Sequence, residues 1–536
     1  MRRLVLALVL WLAGCHAILG YDEVEFLPQT NKVDVLLVID NSIGSIMADK
    51  QEIFEIAIDA LMERLLARVD DLHIGIVTTS LGSLGGDACD DATQNDRGRL
   101  VARDRDGNSV PTYQSLGFLK WDPQKTYDPP GIADPATLRT QLWQMVLGTG
   151  GEGCPFEATL ESFYRFLVDP DPYENVELDA EQKAQLVGTD RELLAQRAAF
   201  LRPDSLVIVL LLTDENDCSL RAGGQYWQVA QRELPERPGQ PFHVWPGRTA
   251  CAIDPDDACC TSCALDPPEH CESEECAAPL DEMSDPIDLR CFQPKRRFGI
   301  DFLQPIDRYV SGLTAQRVAD RHGALRDNPL FIGGRHRWHV VVAAMVGVPW
   351  QDIARRADNG EPDLLRGLDA QGEPVGGLQS AAELREGGTW DVILGDPSAY
   401  FDEPNPKLPT DPLMRESIEP RSGVDASING GEHSFYKDLQ YACRIELDEP
   451  KDCAVVDPEH CYCDEMPPES SLCEGTTQVY AAAYPGIRQL ELMQKLGDQA
   501  VVGSICPAQG IEPSAPSGYQ PTVDALLDTI EPRLTP

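Results

Sequence analysis

The sequence predicts an α/β protein: a doubly wound, mostly parallel sheet flanked by helices and interrupted by long disulfide-stapled insertions. Three observations carry this. Apolar, mostly aliphatic runs without polar alternation stand at Val33–Ile39, Leu206–Leu212 and Trp338–Val346. Runs of that kind are strands buried on both faces, as in a parallel sheet covered by helices. Helical patterns stand between several of the runs, which is the order of βαβ units. Finally, most of the cysteines fall into two stretches with little periodicity, at about 219–336 and 347–484.

In chain order, the first strand ends at Asp40. A helix over Met47–Arg68 follows, with Ile53, Ala57, Leu61 and Leu65 recurring every four residues on one face. His73–Thr78 is the second strand, and Gly82–Gly107 is a loop rich in Gly and Asp. A short strand is expected at Gly117–Leu119. The run Gly148–Cys154 is a turn, and Pro155 opens a helix that runs through Leu160, Phe163, Tyr164 and Leu167. Ser205–Thr213 contains the strongest strand pattern of the chain. Ala500–Ser504 is the last strand, preceded by a helix containing Leu490 and Met493 and followed by a closing helix over Val523–Ile530.

The termini and the composition bound the setting. Arg2 and Arg3 precede an apolar run from Leu4 to Leu12, too short to span a bilayer and of the form of a secretory signal. Leu12-Ala13-Gly14-Cys15 resembles a bacterial lipobox. That resemblance implies a signal peptide over 1–14, lipidation of Cys15 and a tether over 15–31 before a domain over 32–536, lipid-anchored at the outer membrane or cell surface of a bacterial envelope. Of 17 cysteines, Cys15 aside, 16 remain, an even number that suits a disulfide framework in an oxidising compartment. Zinc is the competing reading at Cys260-x-x-Cys263 and Cys271-x4-Cys276, with His270 and His460 nearby. Lys and Arg number 45 against 88 Asp and Glu, a net charge of −43. Such a field repels nucleic acid and attracts cations and basic partners.

Ligands of open α/β sheets bind beyond the carboxyl ends of the strands. Three such ends carry oxygen donors here: Asp40-Asn41-Ser42-Ile43-Gly44-Ser45, the turn with Thr149 and Glu152, and Thr213-Asp214-Glu215-Asn216-Asp217. Carboxylates and hydroxyls without His or Cys suit a hard cation such as Mg²⁺, Mn²⁺ or Ca²⁺. The alternative is local: Asp40 ends a strand, and Ser42 or Ser45 caps the following helix. Glu215 and Asp217 read as solvated loop charges. Asp104-Arg105-Asp106-Gly107 reads as a turn, and His336 and His339 read as structural. No Gly-x-Ser-x-Gly elbow is present.

This constellation resembles the von Willebrand factor A family and its metal-ion-dependent adhesion site. The resemblance covers 33–215 directly and 338–346 and 485–532 more loosely. It implies a metal held by Asp40, Ser42, Ser45, Thr149 and Asp214, with one position left for a carboxylate from a protein or peptide ligand. Two departures stand out. Gly44 occupies the second serine position, so that Ser45 comes one place late, and Cys154 falls near the expected threonine position with Thr149 further away. The expected function is therefore a binding lipoprotein using a divalent cation. The alternatives are a structural or assembly lipoprotein with a degenerate metal site and, third, a hydrolase.

Overall fold

The computed structural model describes residues 28–535 apart from 43–44, 90–92, 272–277, 282–283, 286, 372–373, 401, 403–404, 416–440, 456–462, 464–471 and 507–518. Its centre is a six-stranded sheet built from β1 (Lys32–Ile39), β2 (Asp71–Thr78), β3 (Phe118–Trp121), β4 (Leu206–Leu212), β5 (Val340–Val346) and a last strand, Ala500–Ser504. The spatial order is the last strand, β5, β4, β1, β2, β3. All neighbours run parallel except β3, which pairs antiparallel with β2 at the edge. The expected α/β architecture is present, with one antiparallel edge strand.

The continuous apolar runs follow from burial on both sides. Val33, Val35, Leu37 and Ile39 of β1 point into one core, where α1 (Ser45–Leu66), α2 (Pro135–Leu147) and the closing helix Gln520–Ile530 supply Phe54, Leu61, Leu142 and Val523. Leu36 and Val38 point into the other core, with α3 (Thr159–Leu167), α4 (Arg191–Phe200), α5 (Ile306–Thr314) and Ile487–Leu496. Each such side chain contributes roughly 1.5–3 kcal/mol on leaving water, so neither face of these strands tolerates polar alternation.

Three local expectations are corrected. Residues 155–158 are not helical, and α3 begins at Thr159, where Asp217 accepts the hydrogen bond from the Leu160 N–H at 2.9 Å. The helices α2 and α4 were not anticipated from periodicity. Their starts are nonetheless written locally: Asp134 caps α2 through the Thr137 N–H, with Pro135 next, and Asp190 caps α4 through the Leu193 N–H. The short strand lies one residue later than expected and extends to Trp121.

The two cysteine-rich stretches carry covalent links rather than periodicity. Bridges join Cys218 to Cys291, Cys251 to Cys260, Cys259 to Cys271, Cys443 to Cys506 and Cys463 to Cys473, and Cys89 joins Cys154 outside them. Cys263 and Cys453 are also disulfide-bonded. Parts of both stretches pack on the main core through Ile306, Tyr309 and Leu313 and through Ile353, Leu384 and Ile393. Among the described residues no helix is long and apolar enough to cross a membrane.

Candidate functional site

β1 and β4 are paired neighbours, so Asp40 and Asp214 leave the sheet at the same edge. Asp40 is fully buried. The Thr213 hydroxyl donates to its Oδ2 at 2.6 Å, the Ser42 N–H to its Oδ1 at 2.9 Å and the Thr79 hydroxyl to Oδ1 at 3.4 Å. The Ser42 side chain hydrogen-bonds the same carboxylate. Every one of these donors is neutral. Burial and then the neighbouring Asp214 charge raise the Asp40 carboxyl to about 6, with the Thr213 and Ser42 hydrogen bonds opposing the rise.

A positive charge does reach this edge, and it comes from the chain itself. Lys50, in the first turns of α1, is fully buried, and its ammonium pairs with Asp214 Oδ2 and donates to the Ala482 carbonyl. The next residue, Gln51, donates to the carbonyls of Asp40 at 3.1 Å and Gly150 at 3.0 Å. The Tyr484 N–H donates to the Asp214 carbonyl at 2.7 Å. The segment after the strand Thr477–Ala483 therefore lies over the pair. Oδ1 of Asp214 is buried without a hydrogen-bond partner, as is the Tyr519 hydroxyl. The Tyr519 phenol is pushed well above its ordinary value by burial and by the Asp214 charge.

The expected ligand residues are only partly assembled. Asp40, Ser42 and Asp214 converge. Thr149 is buried, but its hydroxyl donates to the Val146 carbonyl at 2.7 Å, closing the end of α2, and its own carbonyl accepts from Asn41 Nδ2 at 3.4 Å. Its backbone thus belongs to the edge, while its hydroxyl serves the helix. Ser45 opens α1, and its side chain, like residues 43–44, lies outside the described residues. Cys15 lies outside them as well. Cys154 is bonded to Cys89, and its N–H meets the Ser80 hydroxyl at 2.8 Å, which itself donates to Asn41 Oδ1. Gly153 donates to the Asn41 carbonyl at 2.6 Å, and a Cβ there would stand 2.4 Å from that oxygen and from Ser80 Oγ. The loop is locked against β1 and β2 by contacts that leave no room for a side chain.

These residues do not fit a divalent cation well. One carboxylate oxygen is committed to an ammonium, and the threonine hydroxyl is turned to a helix end. Motif spacing does not single out Lys50, although its position carries a signal. It stands four residues before Phe54 and seven before Ala57, on the buried stripe of α1, where an unpaired Lys is not tolerated.

Asp217, expected as a solvated charge, is fully buried. It accepts from Arg488 Nε at 3.0 Å, from the Ser219 hydroxyl at 2.6 Å and from the first turn of α3. The loop after β4 is thereby tied to two helices. Asp104 accepts from the N–H groups of Asp106 and Asn108, a turn as expected. His339 meets the Pro28 carbonyl at 2.7 Å. In the first cysteine-rich stretch, Cys259, His270 and Cys271 lie close enough together to hold a metal, but the two sulfurs are bonded to each other.

Comparison with family models, curated proteins and solved structures finds no match to this chain.

Proposed function

We propose that the chain is a lipid-anchored protein of the bacterial cell envelope, with a domain of the von Willebrand factor A type. Its metal site is degenerate, with Lys50 in the place of a divalent cation, and it acts in binding or assembly. The observation that carries this is the buried Lys50–Asp214 pair beside Asp40. Two carboxylates at one buried edge require a compensating positive charge, and a tethered ammonium supplies one without ion binding. The sheet order, the hydroxyl-bound Asp40 and the oxidised cysteines all agree with this reading. Its partner would be a protein or peptide offering a carboxylate. Nucleic acid is disfavoured by a net charge of −43.

One observation favours the cation-dependent reading instead. Oδ1 of Asp214 is buried with a free lone pair, which Mg²⁺, Mn²⁺ or Ca²⁺ would satisfy. Melting and calorimetry of the full chain with each ion and with EDTA separate the two. A hundredfold excess over Kd stabilises a cation-binding native state by about 2.7 kcal/mol. The expected result is no shift. A rise in Tm that Asp40→Ala abolishes would replace the degenerate-site reading. Fractionation of Cys15→Ser tests the anchor, with release from the membrane fraction expected.

A further inference from the structure

Beyond β2 the chain leaves the sheet edge and builds a cavity apart from the Asp40–Asp214 cluster. Gly82, Leu84 and Gly85 form one wall with φ of +77°, +54° and +120°. Asn95 and Arg97 form another, and Arg97 too is left-handed at +57°. Left-handed non-glycine residues are sparsely populated and collect where surrounding structure enforces them. The Cys89–Cys154 bridge and residues Tyr173–Val176 close the remaining sides. The cavity measures about 220 Å³. That is below the range of roughly 300–1,000 Å³ typical of cofactor-sized sites, and it suits one side chain or a small acid.

The charge inside is the reverse of the chain's. Arg97 and Arg165 line the cavity against one carboxylate, Glu174, which rests against Gly188. Arg165 is 2% exposed and held in place. Its Nε donates to the Arg97 carbonyl at 2.7 Å and its Nη2 to the Tyr173 carbonyl at 2.5 Å, while the guanidinium lies over the Tyr173 ring at 4.1 Å. Asp190 stands 3.4 Å from Nη2 but is also paired with Arg99 at 2.9 Å and caps α4. Nη1 of Arg165 is buried with no hydrogen-bond partner. The Arg97 side chain has no ion pair or hydrogen bond among the described residues. A buried, unsatisfied guanidinium N–H is costly, and an oxygen anion repays that cost with a charge-assisted hydrogen bond.

We propose that this cavity is a carboxylate-binding site, with the ligand held by Arg97 and drawn to the neighbouring, incompletely satisfied guanidinium of Arg165. It deepens the binding reading above by naming what is recognised and where, and it needs neither Lys50 nor a cation. Guanidinium groups suit carboxylates because their planar donors match the two oxygens. The carboxylate belongs either to a small free acid or to an Asp or Glu side chain of a partner.

Calorimetric titration of the full chain tests this with succinate, with an end-capped acidic hexapeptide, with its Asn/Gln counterpart and with sulfate, each with and without EDTA. Binding of succinate or of the acidic peptide is expected, insensitive to EDTA and absent for the Asn/Gln peptide. Succinate alone assigns a small acid, and the peptide alone assigns a protein partner. Arg97→Gln should weaken binding roughly tenfold, the loss of one charge-assisted hydrogen bond, and Arg97→Glu should abolish it. Arg165→Gln also removes two loop contacts, so the Arg97 variants carry the decision. Absence of binding by any carboxylate, equal binding of sulfate, or binding unchanged in Arg97→Glu would overturn the site. Binding lost with EDTA but kept in Arg97→Glu would instead return the ligand to the sheet edge and a metal.

Discussion

Two buried aspartates stand at opposite ends of the same strand, and they are handled differently. Asp34, near the start of β1, meets a cation directly: Arg202 donates through Nε at 2.8 Å and through its backbone N–H at 2.9 Å, and Nη2 stands at 2.6 Å. The Ser205 hydroxyl donates as well. The nearby His73 is held down to about 4, chiefly by burial and then by Arg202, so it adds no charge. Asp40, at the far end, meets only neutral donors among the described residues, and the cation found there at that edge, Lys50, sits on its neighbour Asp214. The first end is a closed ion pair that fastens the sheet. The second is an underbalanced cluster, and perturbed groups of that kind gather where an α/β sheet offers a site.

That contrast can be broken by mutation, starting where the effect is largest. Asp34→Ala leaves Arg202 buried with Asp71 as its remaining carboxylate partner. It should cost roughly 3–5 kcal/mol, the loss expected when one partner of a buried ion pair is removed, read as a lower midpoint in urea at unchanged slope. A loss below 1 kcal/mol would mean that the Arg202 pair does not fasten this end of the sheet.

Lys50→Ala comes next. It leaves Asp40 and Asp214 without a counter-charge, and a loss on the order of 3 kcal/mol is expected at neutral pH. Mg²⁺ or Mn²⁺ should partly restore Tm in this variant while leaving the parent unmoved. If added cation rescues nothing, Lys50 is a structural ion pair like Arg202, and the proposed substitution for a metal fails.

The smallest effect is in the pH profile. The Asp40 carboxyl is raised above its ordinary value to about 6, mainly by burial and then by Asp214. The folded state therefore holds the proton more tightly than the unfolded chain. This contribution is fully present below the unfolded value near 4 and is lost as pH rises through about 6, at most about 3 kcal/mol at 1.36 kcal/mol per unit. Asp40→Asn should flatten the stability profile between pH 4 and 7. An equal slope in parent and variant would place the titration elsewhere, with Asp352 the alternative: burial and the Asp411 carboxyl raise it to about 7.

Much of the frame was legible before folding was considered. Apolar runs at 33–39 and 206–212 have no polar face, so they had to be central strands, and the acidic residues one and two places beyond them, Asp40 and Asp214, had to share an edge once those strands paired. The helices α2 and α4 were less legible because their apolar stripes are narrow. Their caps, Asp134 with Pro135 and Asp190, were the better signal.

The sequence by itself therefore determined the layers of this protein, the strands at its centre and the place where Asp40 and Asp214 meet, because burial acts on periodicity and strand ends inherit their position from the sheet. Only the tertiary structure decided what neutralises that meeting point. Lys50 comes from α1, the carbonyl that shares its ammonium from a segment more than 400 residues away, and Thr149 turns to its own helix. It also decided that Arg97 and Arg165, 68 residues apart, face one cavity. Charge compensation in a buried site is set by which side chains arrive in space, and local spacing does not encode that when the partners come from separate elements.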